Sequence, residues 1–246
     1  MSPIHACILM LTSVILIVYE CFDSLPSELR GLPSHTPNWN VSHEAWRTFN
    51  WHPILMTLFL CLGGLAIFCF KMLPGEHFFK KVMHAVFHTL AVVCSVAGFI
   101  FMVWWKSKTG NEGFWTMHSW IGIAVLGLYW VQYLSGFLAF LLPGPLLIAK
   151  AFRARFVLMH RHTGLMIWVI MAAVVLTGIS SRQWYMFMGQ STMPGLENQR
   201  FASYWGANSV GLLTCALVVF ALFVFRHIKP AQDEHHYSPI QAISYH

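Results

Sequence analysis

Residues 49–70 read FNWHPILMTLFLCLGGLAIFCF, with no charged side chain among them. As a helix, this stretch rises about 33 Å at ~1.5 Å per residue, enough to cross the roughly 30 Å hydrocarbon core of a bilayer. Inside lipid every backbone polar group must be satisfied internally, and a continuous apolar run without period-two alternation does that as a helix. Four comparable runs follow: Val82–Trp105, Met117–Leu142, Val157–Ile179 and Tyr204–Phe225. A sixth, Ile4–Tyr19, is shorter. It lacks the basic leading region and small-x-small cleavage site of a signal peptide, so it reads as a first span.

The expected architecture is therefore an all-α membrane protein. Six transmembrane helices form a single integral membrane domain over residues 1–246, with residues 228–246 as a flexible polar tail. Composition agrees. Hydrophobic residues make up 57% of the 246, and charged residues only 10%, against about 25% in soluble domains. The net charge of +6 does not mark a nucleic-acid surface, because the basic residues lie between apolar runs and act there as a topology signal. The six cysteines form no CxxC and no CxxCH, which leaves out a thiol-redox pair, a zinc knuckle and covalent haem attachment. Five of them lie inside apolar runs and read as free buried thiols.

Six spans place both termini on one side. The loops on that side hold Lys71, Lys80, Lys81, Lys150, Arg153, Arg155, Arg161, Arg226 and Lys229, against six basic residues opposite. The excess makes that side cytoplasmic. The sequon Asn40-Val41-Ser42 then lies in the first non-cytoplasmic loop, Glu20 to Thr48, where glycosylation occurs and where Pro, Ser and Asn predict irregular chain.

The chemistry sits in histidines. Of 14 in the chain, His52, His84, His88, His118, His160 and His162 fall within or at the ends of apolar runs. One membrane histidine is an ordinary helix contact; a set on four consecutive helices marks a functional path. Depth pairs them. His52 and His118 open spans 2 and 4 from the non-cytoplasmic side, while His84 and His160 open spans 3 and 5 from the cytoplasmic side. Each membrane face thus offers two rings on facing helices, which is what axial ligation of a flat macrocycle requires. The two sites would stand roughly 20 Å apart along the membrane normal. Gly63, Gly64, Gly98, Gly122, Gly127, Gly136, Gly164 and Gly178 leave room for a large apolar group. His88 shares the face of His84, so a zinc pair at i, i+4 competes with haem, but no carboxylate lies in the five long spans to complete it.

Four segments make the chain resemble the cytochrome b561 family of six-span, di-haem, ascorbate-reducible membrane cytochromes, over about residues 45–225. They are Phe49-Asn50-Trp51-His52-Pro53-Ile54-Leu55-Met56, Lys80-Lys81-Val82-Met83-His84, Met117-His118-Ser119-Trp120-Ile121-Gly122 and His160-Arg161-His162-Thr163-Gly164. In the family the last ligand stands four residues before the glycine, which selects His160 over His162. The resemblance implies a four-helix core of spans 2–5 holding two non-covalent haem b groups. His52 and His118 would be axial iron ligands on the non-cytoplasmic side, His84 and His160 on the cytoplasmic side. It implies an oxidoreductase with cytoplasmic ascorbate as donor and monodehydroascorbate or a ferric chelate as acceptor. The surroundings are membrane lipid, with room for a homodimer.

The family's ascorbate-associated stretch corresponds to Ala66-Ile67-Phe68-Cys69-Phe70-Lys71, with Lys where relatives often have Arg. Lys71, Lys80 and Lys81 are thus candidate substrate contacts as well as topology signals. On the opposite side the chain departs from its relatives. Lys106-Ser107-Lys108 stands where a histidine is common, and Ser180-Ser181-Arg182-Gln183 where an acidic residue is common. That charge favours an anionic acceptor.

Two other functions share these features: a quinol-oxidising di-haem cytochrome subunit, and a metal or solute transporter. Reduction by ascorbate alone separates the first, and a colourless protein marks the second. Tyr237-Ser238-Pro239-Ile240 fits a Tyr-x-x-bulky sorting signal, pointing to endosome or lysosome beside secretory vesicle and plasma membrane.

Overall fold

A computed structural model describes residues 3–22, 43–110, 113–140, 150–190 and 200–227. They form six α-helices: α1 (Pro3–Phe22), α2 (His43–Met72), α3 (His77–Thr109), α4 (Met117–Phe140), α5 (Lys150–Gln190) and α6 (Arg200–His227). Four contain apolar stretches long enough to cross a membrane: Thr48–Lys71, His77–Thr109, Met117–Phe140 and Arg155–Gln183. The apolar stretches of α1 and α6 are shorter, Ile8–Val18 and Asn208–Phe223. The sequon, the sorting pattern, the polar tail and the α4–α5 connection lie outside the described residues.

Helix limits differ from those expected. The first loop was expected to stay irregular to Thr48, yet α2 begins at His43. Ala45 and Arg47 are strong helix formers, and no Gly or Pro interrupts this lead-in. In the same way α3 starts five residues before Val82 and α5 seven before Val157. His84 and His160 therefore do not open their helices. They lie about two and three turns inside, because the helices run on past the apolar segment into charged sequence.

Helices α2 and α3 form a tight antiparallel hairpin through Leu73, Pro74, Gly75 and Glu76. Gly75 takes φ 103°, a conformation only glycine adopts without strain. Leu73 N–H donates to Cys69 O and Lys80 N–H to Glu76 O, closing the two helix ends. At its other end α3 stops at Gly110, left-handed at φ 67°, whose N–H donates to the Lys106 carbonyl.

The core lies where α2 meets α5. Trp168 is 1% exposed and donates from Nε1 to Leu60 O at 3.0 Å, which satisfies the one polar atom of a large buried ring. Phe68, Leu60, Met171 and Leu217 pack around it. Many large apolar side chains point outward instead, among them Leu90, Ile100, Leu128 and Leu138. In water such a surface would be unfavourable; in lipid it is the solvated face.

Candidate functional site

Four helices each bring one imidazole opposite another. The ring centres of His52 and His118 are 6.2 Å apart, and those of His84 and His160 are 6.4 Å apart. A metal–imidazole bond of about 2 Å on each side, plus ~1.1 Å from nitrogen to ring centre, would set two rings holding one metal ion about 6.2 Å apart. Both observed spacings fit an iron between the rings.

Ring orientation fits as well. His52 Nδ1 donates to Gly98 O at 3.0 Å, His84 Nδ1 to Ala66 O at 2.7 Å and His118 Nδ1 to Val174 O at 3.0 Å. An imidazole that donates from Nδ1 to a carbonyl keeps Nε2 as the free lone pair for a metal. The α2 and α3 bonds are reciprocal. Fourteen residues separate His52 from Ala66, and fourteen separate His84 from Gly98, so the two sites stand about 21 Å apart along the hairpin. His160 differs: its Nδ1 is buried with no hydrogen-bond partner among the described residues. Gln132 instead donates to the His160 carbonyl at 2.6 Å.

Two glycines form the seats of the α4 and α5 rings. A Cβ at Gly178 would lie 2.8 Å from His118 Cε1, and one at Gly136 would lie 2.7 Å from His160 Cε1. Any side chain there would displace the ring. Of the eight glycines read from sequence as room for a cofactor, Gly98, Gly122, Gly136 and Gly178 border the imidazoles or their cavity. A Cβ at Gly127 would meet nothing within 4 Å among the described residues.

The His52/His118 end opens into two adjoining cavities. One, of about 690 Å³, runs inward between Phe59, Phe99 and Met171. The other, of about 980 Å³, reaches the end of the bundle at Trp115, Lys106 and Arg182. At the opposite end, Phe70 lies tilted 5.1 Å from His84, and Phe140 and Phe156 lie 5.7 and 6.0 Å from His160. Flat apolar rings are the walls a haem takes.

His88 and His162 take different positions. His162 is exposed and donates to Leu158 O in its own helix. His88 points inward, 4.4 Å from the His84 ring centre, with Nδ1 bonded to the Tyr129 hydroxyl at 2.6 Å. Tyr129 was not singled out from sequence. Its signal was only that a buried tyrosine needs a polar partner.

The hairpin puts Lys71, Lys80 and Lys81 at the His84 end. Lys71 is in the last turn of α2, and the other two follow in the first turns of α3. Arg161, one residue after His160, is close enough to Lys71 to repel it electrostatically. Lys80 is buried and Lys81 half-buried.

The sequence profile of eukaryotic cytochrome b561 matches residues 51–186, a stretch that contains all four of the paired imidazoles. The chain belongs to the cytochrome b561 family. Similar proteins include the ascorbate-specific transmembrane electron transporter 2 of Zea mays, 29% identical over 74% of this chain and 76% of its own length. The lysosomal membrane ascorbate-dependent ferrireductase of Mus musculus is 31% identical over 72% of each chain. The transmembrane ascorbate ferrireductase 1 of Arabidopsis thaliana is 34% identical over 43% of this chain and 48% of its own. Membership of the cytochrome b561 family makes haem b the cofactor of this membrane protein.

Proposed function

We propose that this protein is a transmembrane oxidoreductase that takes electrons from cytoplasmic ascorbate and delivers them to an acceptor on the far side, monodehydroascorbate or a ferric chelate. The carrying observation is the pair of imidazole spacings, 6.2 and 6.4 Å, at two levels of one helix bundle. Two non-covalent haem b groups are held there, one between His52 and His118 and one between His84 and His160. A bound haem supplies an iron that changes oxidation state by one electron without bond making. The protein's own residues hold and orient the imidazoles: Gly98, Ala66 and Val174 carbonyls fix the tautomers, and Gly136 and Gly178 admit the rings.

Lys71, Lys80 and Lys81 draw the ascorbate monoanion to the His84 end. Six spans set both termini in the cytoplasm, in keeping with the excess of basic residues at that end. The ferrireductase and lysosomal names among the relatives favour a ferric chelate and an endomembrane. A second copy of the chain is compatible with the apolar exterior.

The test is an optical spectrum of the purified protein before and after ascorbate, with haem counted per chain. Two extractable low-spin haems reduced by ascorbate are expected. One haem per chain, or reduction only by a quinol, refutes the proposal.

A further inference from the structure

Two of the carbonyls that hold the paired imidazoles carry a second side-chain donor. Val174 O accepts from His118 Nδ1 at 3.0 Å and from Thr177 Oγ1 at 2.9 Å. Ala66 O accepts from His84 Nδ1 at 2.7 Å and from Cys69 Sγ at 3.0 Å. In both cases the second donor stands three residues after the carbonyl on the same helix, Thr177 on α5 and Cys69 on α2. A side chain that bonds back one turn is ordinary in a helix. These two bonds differ because their acceptor also orients an imidazole from another helix. The other two rings are held differently. After Gly98, whose carbonyl takes His52, the corresponding position is Phe101, which has no donor to give. His160 Nδ1 has no partner among the described residues. Each level therefore combines one ring on a shared carbonyl with one that is not.

We propose that Thr177 and Cys69 are positioning residues that set the redox potentials of the two levels separately, each acting on its imidazole through the shared carbonyl. The proposal rests on the two-haem reading above. An imidazole that donates from Nδ1 to a carbonyl becomes a more basic ligand at Nε2. A second donor on the same oxygen draws electron density from it and weakens that bond, so the ring gives less to a metal. A less basic axial ligand favours Fe(II) over Fe(III), which raises the potential. The Nδ1 proton stays on the ring throughout. A hydroxyl is a stronger donor than a thiol, and Thr177 Oγ1 also lies 3.4 Å from His118 Nδ1. Cys69 is 2% exposed, and its one S–H is divided between Ala66 O and Lys80 O, the latter 3.5 Å away. Thr177 thus has the larger effect.

The experiment is an optical redox titration of the full-length purified protein, with EPR spectra of the oxidised form. Thr177→Val keeps the shape and removes the hydroxyl. It should lower the potential of the wave that His118→Ala abolishes, cutting the Fe(II)/Fe(III) ratio about five-fold, or ~41 mV at ~59 mV per ten-fold. Thr177→Ser should stay near the parent. Cys69→Ala should cut the ratio at the other wave about two-fold, and Cys69→Ser, a stronger donor, should raise it by a similar factor. In each variant the EPR signal of that level alone should shift, with haem content per chain unchanged. If Thr177→Val does not fold, Cys69→Ser decides, because lost packing cannot mimic a gained donor. Movement of both waves together, no movement, or a fall in potential in Cys69→Ser overturns the inference. One haem per chain in the parent refutes the two-haem reading instead, and the surviving wave then tests the residue at its own level.

Discussion

The two ends of the bundle share a frame and differ in everything around it. At both, the imidazole centres lie just over 6 Å apart, and an α2 or α3 ring donates to a carbonyl of the opposing helix fourteen residues along. Yet the His52 end opens into two cavities and ends at Lys106 and Arg182. The His84 end is walled by Phe70, Phe140 and Phe156 and carries a third imidazole, His88, tied to Tyr129. The frame is thus nearly symmetric, and direction must come from what surrounds it. In the proposed reaction, ring spacing sets what each level holds and the cations at the two mouths set what approaches.

The hypothesis of two separate haem levels is broken most directly by deleting rings. His52→Ala and His118→Ala should each remove about half of the haem, both from the same level, and His84→Ala and His160→Ala should remove the other half. His162→Ala should keep both, because its ring faces outward. Pyridine haemochrome counts with redox titration of each variant measure this. Loss of haem in His162→Ala but not in His160→Ala would falsify the assignment of ligands.

Next in size is the difference in approach. Lys71→Ala and Lys81→Ala are predicted to slow reduction by ascorbate several-fold, with the loss shrinking as salt shortens the screening length below about 8–10 Å. Stopped flow on sealed vesicles, with ascorbate added to one side at a time, gives the answer. Entry of electrons first through the His52/His118 level would reverse the direction proposed.

A smaller effect separates the glycine seats. Gly178→Ala should disturb the His118 level alone and Gly136→Ala the His160 level alone, since each new Cβ meets one ring. An overpacked site of this kind costs about 1–3 kcal/mol. The potential of each haem reports which level moved, and a shift in both levels from either glycine would show that the seats are not local.

The smallest expected change is Tyr129→Phe. It removes the hydroxyl bonded to His88 and leaves a buried imidazole nitrogen unanswered, a loss of about 1–3 kcal/mol. The expectation is a lower thermal midpoint with haem content unchanged. An unaltered midpoint would mean that His88 finds another partner.

Much of this was legible from sequence, for a physical reason. The four long spans announce themselves because lipid tolerates no charge within them, and the four histidines that face each other in pairs because imidazoles are rare at such depth. Helix ends were less legible. His43–Thr48, His77–Lys81 and Lys150–Phe156 are helical but polar, so hydropathy stops short of them. The choice of carbonyl for each ring, the seats at Gly136 and Gly178, and the Tyr129–His88 bond join residues far apart in the chain. Single-helix patterns carry no trace of such pairings. Lys106 and Arg182 were visible as unusual charges, but only the assembled bundle puts both on the lining of one recess.

The fourteen-residue separation of the two levels along the α2–α3 hairpin also has an electrical side. Along the proposed route, an electron moving between the two levels crosses about 21 Å of a core roughly 30 Å thick, or about seven-tenths of the membrane's voltage drop. With no compensating proton in the step, each 100 mV of inside-negative potential then favours outward transfer by about 1.6 kcal/mol. The hairpin register that orients the imidazoles therefore also sets the gearing between membrane potential and redox balance. A resting cell or an acidified vesicle of different polarity would bias the same protein to different degrees of reduction.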